Sequence, residues 1–185
     1  MVPLSPCSLT APWYAKQGSL TAPWLTEFGS PAASEVSVAS DPTNGVLIAV
    51  VASGTVYAKE GSLTGATWLT EFGSSAASAI SVASGPTNGP LIAVVTGSGV
   101  YAKEGSLTAA TWLLEFGGSS DVVSVASDPT NGALIAVAAS GTVYAKEGSM
   151  TGATWTAETT TVGGPVSVAS DATNGLVIGV GRGVS

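Results

Sequence analysis

The sequence predicts an all-β protein built from one four-stranded antiparallel unit that is repeated along the chain. Three observations lead there. One phrase recurs: YAKEGSLTGATWLTEF at Tyr57–Phe72, YAKEGSLTAATWLLEF at Tyr101–Phe116, YAKEGSMTGATW at Tyr144–Trp155, and a shorter copy, YAKQGSLTAPWLTEF, at Tyr14–Phe28. The spacing is regular: Trp24, Trp68, Trp112 and Trp155 follow at steps of 44, 44 and 43 residues, and Asn44, Asn88, Asn131 and Asn174 at steps of 44, 43 and 43. Within each period lie four strand-sized runs separated by turn residues, and no run has helical periodicity with caps and adequate length.

Each element has a local reason. Val36–Ser40, and Ile80–Ser84 in the next copy, are short runs of β-branched and small residues suited to a pleated strand. Asp41-Pro42-Thr43-Asn44-Gly45 is a turn, because Pro presets φ and Asn-Gly favours a tight hairpin. Val46–Val51 (VLIAVV) is continuously apolar, as expected of a strand covered on both faces. Ser53-Gly54 turns the chain into a third strand, Thr55–Glu60. Gly61–Thr67 is a loop, and Trp68–Phe72 is the fourth strand. Ser74–Ala79 is too short for a helix and reads as a linker.

The period of 43–44 residues matches the size of one propeller blade, about 40–45 residues. The expected architecture is therefore a β-propeller with units at 36–72, 80–116, 123–159, and a fourth made of 166–185 joined with 13–28. Closure by the two ends would remove exposed sheet edges. Tyr57, Trp68 and Phe72 lie in the later strands and small residues in the earlier ones, which suits a wide wedge and a ring of four blades; the competing arrangement is an eight-bladed ring made from two chains. Residues 1–12 lie outside the count as an overhang, in which Ser8–Trp13 (SLTAPW) duplicates Ser19–Trp24. Residues 13–185 read as a single domain.

Composition excludes several functions. Hydrophobic residues make up 45% of the 185 and charged residues 9%, well below the usual quarter or so, which argues against disorder. The net charge is −7 with five basic residues, too few to neutralise a phosphate backbone, so nucleic acid is not an expected partner. No apolar run reaches membrane-spanning length. Histidine is absent and Cys7 is the single cysteine, so no intrachain disulfide forms. Met1–Trp13 carries no signal-peptide pattern, although low Lys with abundant Ser, Thr and Gly is common in secreted bacterial proteins.

Ser37–Glu60, SVASDPTNGVLIAVVASGTVYAKE, resembles a WD-type blade without its terminal Trp-Asp. Ser62-Leu63-Thr64-Gly65-Ala66-Thr67-Trp68 is similar to the Asp-box turn of sialidase-type propellers, with Thr64 where the Asp belongs and one residue fewer. The Lys-Glu-Gly-Ser-Leu…Trp phrasing is similar to that of actinobacterial, tachylectin-like propeller repeats. That resemblance implies a carbohydrate-binding protein with a pocket in each blade and no catalytic activity.

Candidate ligand-binding residues follow from the repeats. Trp68 and Trp112 offer faces for stacking on sugar rings, or else fill the core. Tyr57 and Tyr101 accompany them. Lys59 and Lys103 could hydrogen-bond a ligand, or blunt outer strands against aggregation; each adjoins a Glu, and strand neighbours point to opposite faces, so the two do not pair. Glu27, Glu71, Glu115 and Glu158 read as edge charges too. Asp41, Asp128 and Asp171 read as turn residues, since a calcium loop needs several oxygen ligands. No nucleophile–base pair, metal cluster or cofactor motif is present, so the protein reads as non-enzymatic. Two functions compete: multivalent glycan binding, in which repeated weak pockets gain by avidity, and a structural, self-associating scaffold or a recently amplified or designed repeat without a selected ligand.

Overall fold

A computed structural model describes residues 12–29, 32–73, 76–160, 164–171, 173 and 175–181. The predicted overhang 1–12, Cys7 included, lies outside these residues except at its last position. Among the described residues the chain is all strand and turn, with no helix, and hence none long and apolar enough to cross a membrane.

The strands form five antiparallel sheets. The first pairs β1 (Trp13–Ala15) with β2 (Leu25–Phe28). Three four-stranded meanders follow. The first comprises β3 (Ala33–Asp41), β4 (Gly45–Ala52), β5 (Thr55–Gly61) and β6 (Leu69–Phe72). The second comprises β7 (Ala77–Gly85), β8 (Gly89–Thr96), β9 (Gly99–Glu104) and β10 (Leu113–Gly117). The third comprises β11 (Val122–Asp128), β12 (Gly132–Ala139), β13 (Thr142–Gly148) and β14 (Thr156–Thr160). The fifth sheet pairs β15 (Val166–Asp171) with β16 (Gly175–Val180).

Local chemistry explains each sheet. The Asn-Gly turn sets the β3–β4 register, Asp41 opposite Gly45 and Val38 opposite Ile48. Gly45 has φ +83°, and a Cβ there would sit 3.2 Å from the Gly61 carbonyl oxygen, so the turn requires glycine on both counts. The apolar runs at β4, β8 and β12 are covered on both faces, as their composition predicts. Alternate residues of β4 enter two cores: Leu47, Ala49 and Val51 pack with Ile80, Val82, Ile92 and Val94, whereas Ile48, Val50 and Ala52 pack with Phe28. The period-2 alternation of a strand therefore ties each meander to the sheet before it and the sheet after it. The same logic joins β8 to β12 and β12 to Val166 of β15.

The propeller expectation is corrected here. The five sheets are separate and none closes into a radial ring, so neither a four-bladed ring nor an eight-bladed two-chain ring is formed, and the resemblance to WD-like, Asp-box-like and tachylectin-like propellers does not extend to the architecture. The expected joining of 166–185 with 13–28 is absent: among the described residues β1 bonds only to β2, and β16 only to β15. The physical reason is visible in the cores. Each inner sheet satisfies its apolar faces against its neighbours in sequence. The inner contacts encoded by the repeat form without the row turning back on itself, and the two ends keep exposed apolar residues.

Candidate functional site

The chemistry-bearing residues of the repeat converge on one place, the contact between the outer strands of successive sheets. Lys59 on β5 reaches back to Glu27 on β2. Lys103 on β9 pairs with Glu71 on β6, and Lys146 on β13 with Glu115 on β10. All six side chains are at most 5% exposed. Each ammonium also donates to the loop that follows its strand: Lys59 Nζ to the Leu63 carbonyl at 2.6 Å, Lys103 Nζ to Leu107 at 2.6 Å, and Lys146 Nζ to Met150 at 2.9 Å.

An aromatic trio surrounds each ion pair. Phe28 meets Trp68 edge-on at 5.1 Å and Tyr57 at 5.2 Å. Phe72 holds Trp112 and Tyr101 in the same way, at 5.1 and 5.4 Å, and Phe116 holds Trp155 and Tyr144 at 5.2 and 5.1 Å. Each indole N–H donates across the contact to the backbone of the paired glutamate: Trp68 to the Glu27 carbonyl at 2.8 Å, Trp112 to Glu71 and Trp155 to Glu115 at 2.7 Å. The lysine sits over the indole face at 5.3, 5.6 and 5.7 Å in the three copies, within cation–π range. Edge-to-face packing and a partner for the buried N–H are what a largely buried Trp needs.

The loop is local in origin. Ser62 Oγ accepts from the Thr64 amide at 3.3 Å, and Ala66 N–H donates to the Ser62 carbonyl at 3.1 Å. This Ser-Thr turn aims the Leu63 carbonyl at Lys59 and places Trp68 behind it. A second seam runs along the first strands of the sheets. Ser37 Oγ accepts from Val82 N–H at 3.0 Å, Ser81 Oγ from Val125 N–H at 3.1 Å, and Ser124 Oγ from Val168 N–H at 3.1 Å.

The candidate ligand residues Trp68, Trp112, Tyr57, Tyr101, Lys59 and Lys103 are thus brought together, as two consecutive copies of one contact between sheets. Their polar groups face one another. The glycan-binding, lectin-like expectation is corrected on this ground. Both indoles carry a lysine on one face and a phenylalanine at the edge, and among the described residues no carbohydrate-binding groove lies beside them. The lysines are also not edge charges: Lys59, Lys103 and Lys146 are buried. Sequence reasoning did separate Lys59 from its neighbour Glu60. It missed Glu27, which is 32 residues away. The signal was present, because the Lys of YAKE and the Glu of LTEF recur in step.

The clefts between successive Ser-Leu-Thr loops offer little chemistry. One of them, of about 650 Å³, is lined by Asn88, Glu104, Thr111, Asn131, Ser149 and Met150 among others. Burial pushes the Glu104 carboxyl above the usual glutamate range. It is a lone carboxyl amid turn backbone and short polar side chains. No group of three or more His, Cys, Asp or Glu able to hold a metal occurs among the described residues.

Asp128 behaves as a turn residue with an added task. Its Oδ1 accepts from the amides of Thr130 at 2.7 Å and Asn131 at 2.9 Å, while Ser170 on β15 donates to Oδ2 at 2.7 Å. The Ser170 hydrogen bond, with the two amides, holds this carboxyl below the ordinary aspartate range. Asp171 repeats the turn, accepting from the Thr173 amide at 2.8 Å. No family model and no curated protein matches the chain.

Proposed function

We propose that this chain is a non-catalytic structural module, a stack of sheets whose partners are proteins presenting an equivalent sheet face. One observation carries the reading. The Lys, Glu, Trp, Tyr and Phe of the repeat satisfy one another in three successive contacts, and among the described residues members of the same repeat positions stand exposed beside the first sheet and on β14. Tyr14 and Trp24 are 49% and 62% exposed, and Glu158 is exposed on β14. Charged groups already paired and buried are poorly placed to act on a substrate. Exposed members of the same set are placed to meet another sheet.

Amine-reactive labelling of the native protein at high dilution tests this reading. Lys16, partly exposed on the first sheet, labels readily, and Lys59, Lys103 and Lys146 label only on global unfolding. Inner lysines that label as fast as Lys16 would mean that they are available to solutes, and would overturn the structural assignment.

A further inference from the structure

The two end sheets are halves of opposite kind. The sheet β1-β2 carries the Tyr, Glu and Phe of an outer pair of strands, with Lys16 and Trp24 beside it, and β15-β16 carries the Ser-Val and Leu-Val-Ile runs of an inner pair. Each leaves a complementary notch. Beside β1-β2, the face of β3 that in later sheets is covered by a preceding inner pair lies open, with Val36 and Val38 40% and 60% exposed. Their counterparts Ile80, Val82, Val123 and Val125 are at most 8% exposed. Beside β15-β16 there is a cleft of about 400 Å³ lined by Leu134, Ala145, Glu147, Glu158 and Leu176, and Val177 is 56% exposed.

Resting on the structural-module reading, we infer that the partner is a second copy of this chain, added end to end, with β15-β16 of one copy and β1-β2 of the next combining into one four-stranded sheet. Every contact of that junction is a repetition of one already made within the chain. The β4–β5 register, Ile48 opposite Lys59 and Val50 opposite Tyr57, becomes Ile178 opposite Lys16 and Val180 opposite Tyr14 of the next copy. The Lys59–Glu27 pair becomes Lys16 of the next copy with Glu158. The Trp68 N–H bond to the Glu27 carbonyl becomes Trp24 to the Glu158 carbonyl. The Ser37–Val82 bond becomes Ser167 with Val38. Charge complementarity holds, because Lys16, which within its own chain donates to the Leu20 carbonyl at 2.5 Å and sits 4.8 Å from the Trp24 ring centre, meets a carboxylate. One member is altered: Thr159 stands where Phe72 and Phe116 stand in the earlier sheets, each opposite the matching residue of its neighbouring strand. The junction therefore lacks its central ring and is weaker than the intrachain contacts. The association is heterologous, so a single contact repeats from copy to copy.

Sedimentation velocity on the full chain over a concentration series reads the association. Wild-type protein is expected to form dimers and larger species as concentration rises, with Lys16 becoming protected from labelling in step. Lys16→Glu and Glu158→Lys should each weaken association roughly 10- to 100-fold, the effect of a like-charge contact in an interface. An equimolar mixture of the two variants should restore it, since both mixed junctions, one variant followed by the other in either order, then pair opposite charges. Thr159→Phe, at a half-buried position, should tighten association by about tenfold by completing the ring trio with Tyr14 and Trp24. A chain that stays monomeric throughout overturns the inference, as does association indifferent to both charge reversals or not restored on mixing. Protection of the inner lysines at high dilution would in those cases leave the structural-module reading standing, so the two failures are distinguishable.

Discussion

Removing the Lys103 ammonium while keeping its length, Lys103→Met, tests what holds successive sheets together. Lys103 and Glu71 are 5% and 2% exposed, so the variant leaves a carboxylate buried without its counter-ion. The Leu107 carbonyl also loses a donor at 2.6 Å, and Trp112 loses the cation 5.6 Å from its ring centre. Breaking a buried pair from one side costs about 3–5 kcal/mol. At about 2–4 °C per kcal/mol for a chain of this size, the melting temperature should fall by roughly 6–20 °C. An exposed edge charge would give less than about 1 kcal/mol and would be screened by salt. The second arm is Lys103→Met with Glu71→Leu. Exchanging the whole pair for apolar groups of similar volume is often neutral, so the double variant should regain most of the loss. Denaturant unfolding followed by Trp fluorescence measures both arms, since Trp112 packs on the pair. A single-variant loss below about 1 kcal/mol, or a double variant as unstable as the sum of its singles, would refute the argument that the buried pair locks the sheets.

Two further expectations concern the inner seam. Gly85 stands where the next sheet has Asp128, and Ser127 Oγ, the counterpart of the Ser170 that bonds Asp128, is buried without a hydrogen-bond partner among the described residues. A Cβ on Gly85 would lie 2.3 Å from Ser127 Oγ and 3.2 Å from Ser127 Cβ; rotation of the hydroxyl relieves the first contact and a small shift of the strand the second, so Gly85→Asp should add about 1 kcal/mol of stability by satisfying that hydroxyl; a lower denaturation midpoint would show that the seam cannot make room. The lowered pKa of Asp128 has a definite sign. Its contribution is fully present above the ordinary aspartate value of about 3.9 and is lost as pH falls through the depressed folded value. Protection factors in β15 and β16, referred to the intrinsic exchange rate at each pH, should therefore fall below about pH 4, ahead of those of the central sheets, and Ser170→Ala, which removes the largest cause of the shift, should flatten that dependence; protection unaffected by the substitution would disconnect Asp128 from the last sheet.

The strands were legible because their signals are local. Val46–Val51 needed only its continuous apolar composition to be read as a strand covered on both faces, and Asn44-Gly45 only its φ requirement to be read as a hairpin. The outer contact was partly legible. Trp68 could be read as core or as a sugar platform, and the choice turns on Phe28, which comes from a different copy of the repeat. The Lys59–Glu27 pair was hidden for the same reason. Strand alternation excludes Glu60 as the partner of Lys59, but says nothing about which distant carboxylate replaces it.

Closure was not legible, and the reason is physical. A repeat of 43–44 residues specifies a sheet and, through the two faces of β4, β8 and β12, its contact with the sheets before and after. These contacts are the same in any stack of such sheets. Whether the stack returns to its start depends on small rotations between sheets, set by side chains at the contact rather than by the period. The halves at Trp13–Phe28 and Val166–Val180 complete each other in sequence and so read as one interrupted unit. Such complementarity holds as well between two chains as within one. In the structure the halves cover different meanders, β1-β2 against the Tyr57–Trp68 side of the first and β15-β16 against the third. On the end-to-end proposal, the matching sequences identify a pair of docking positions. The exposed Val38, Trp24 and Val177 mark where an identical chain can supply the strands that each end lacks.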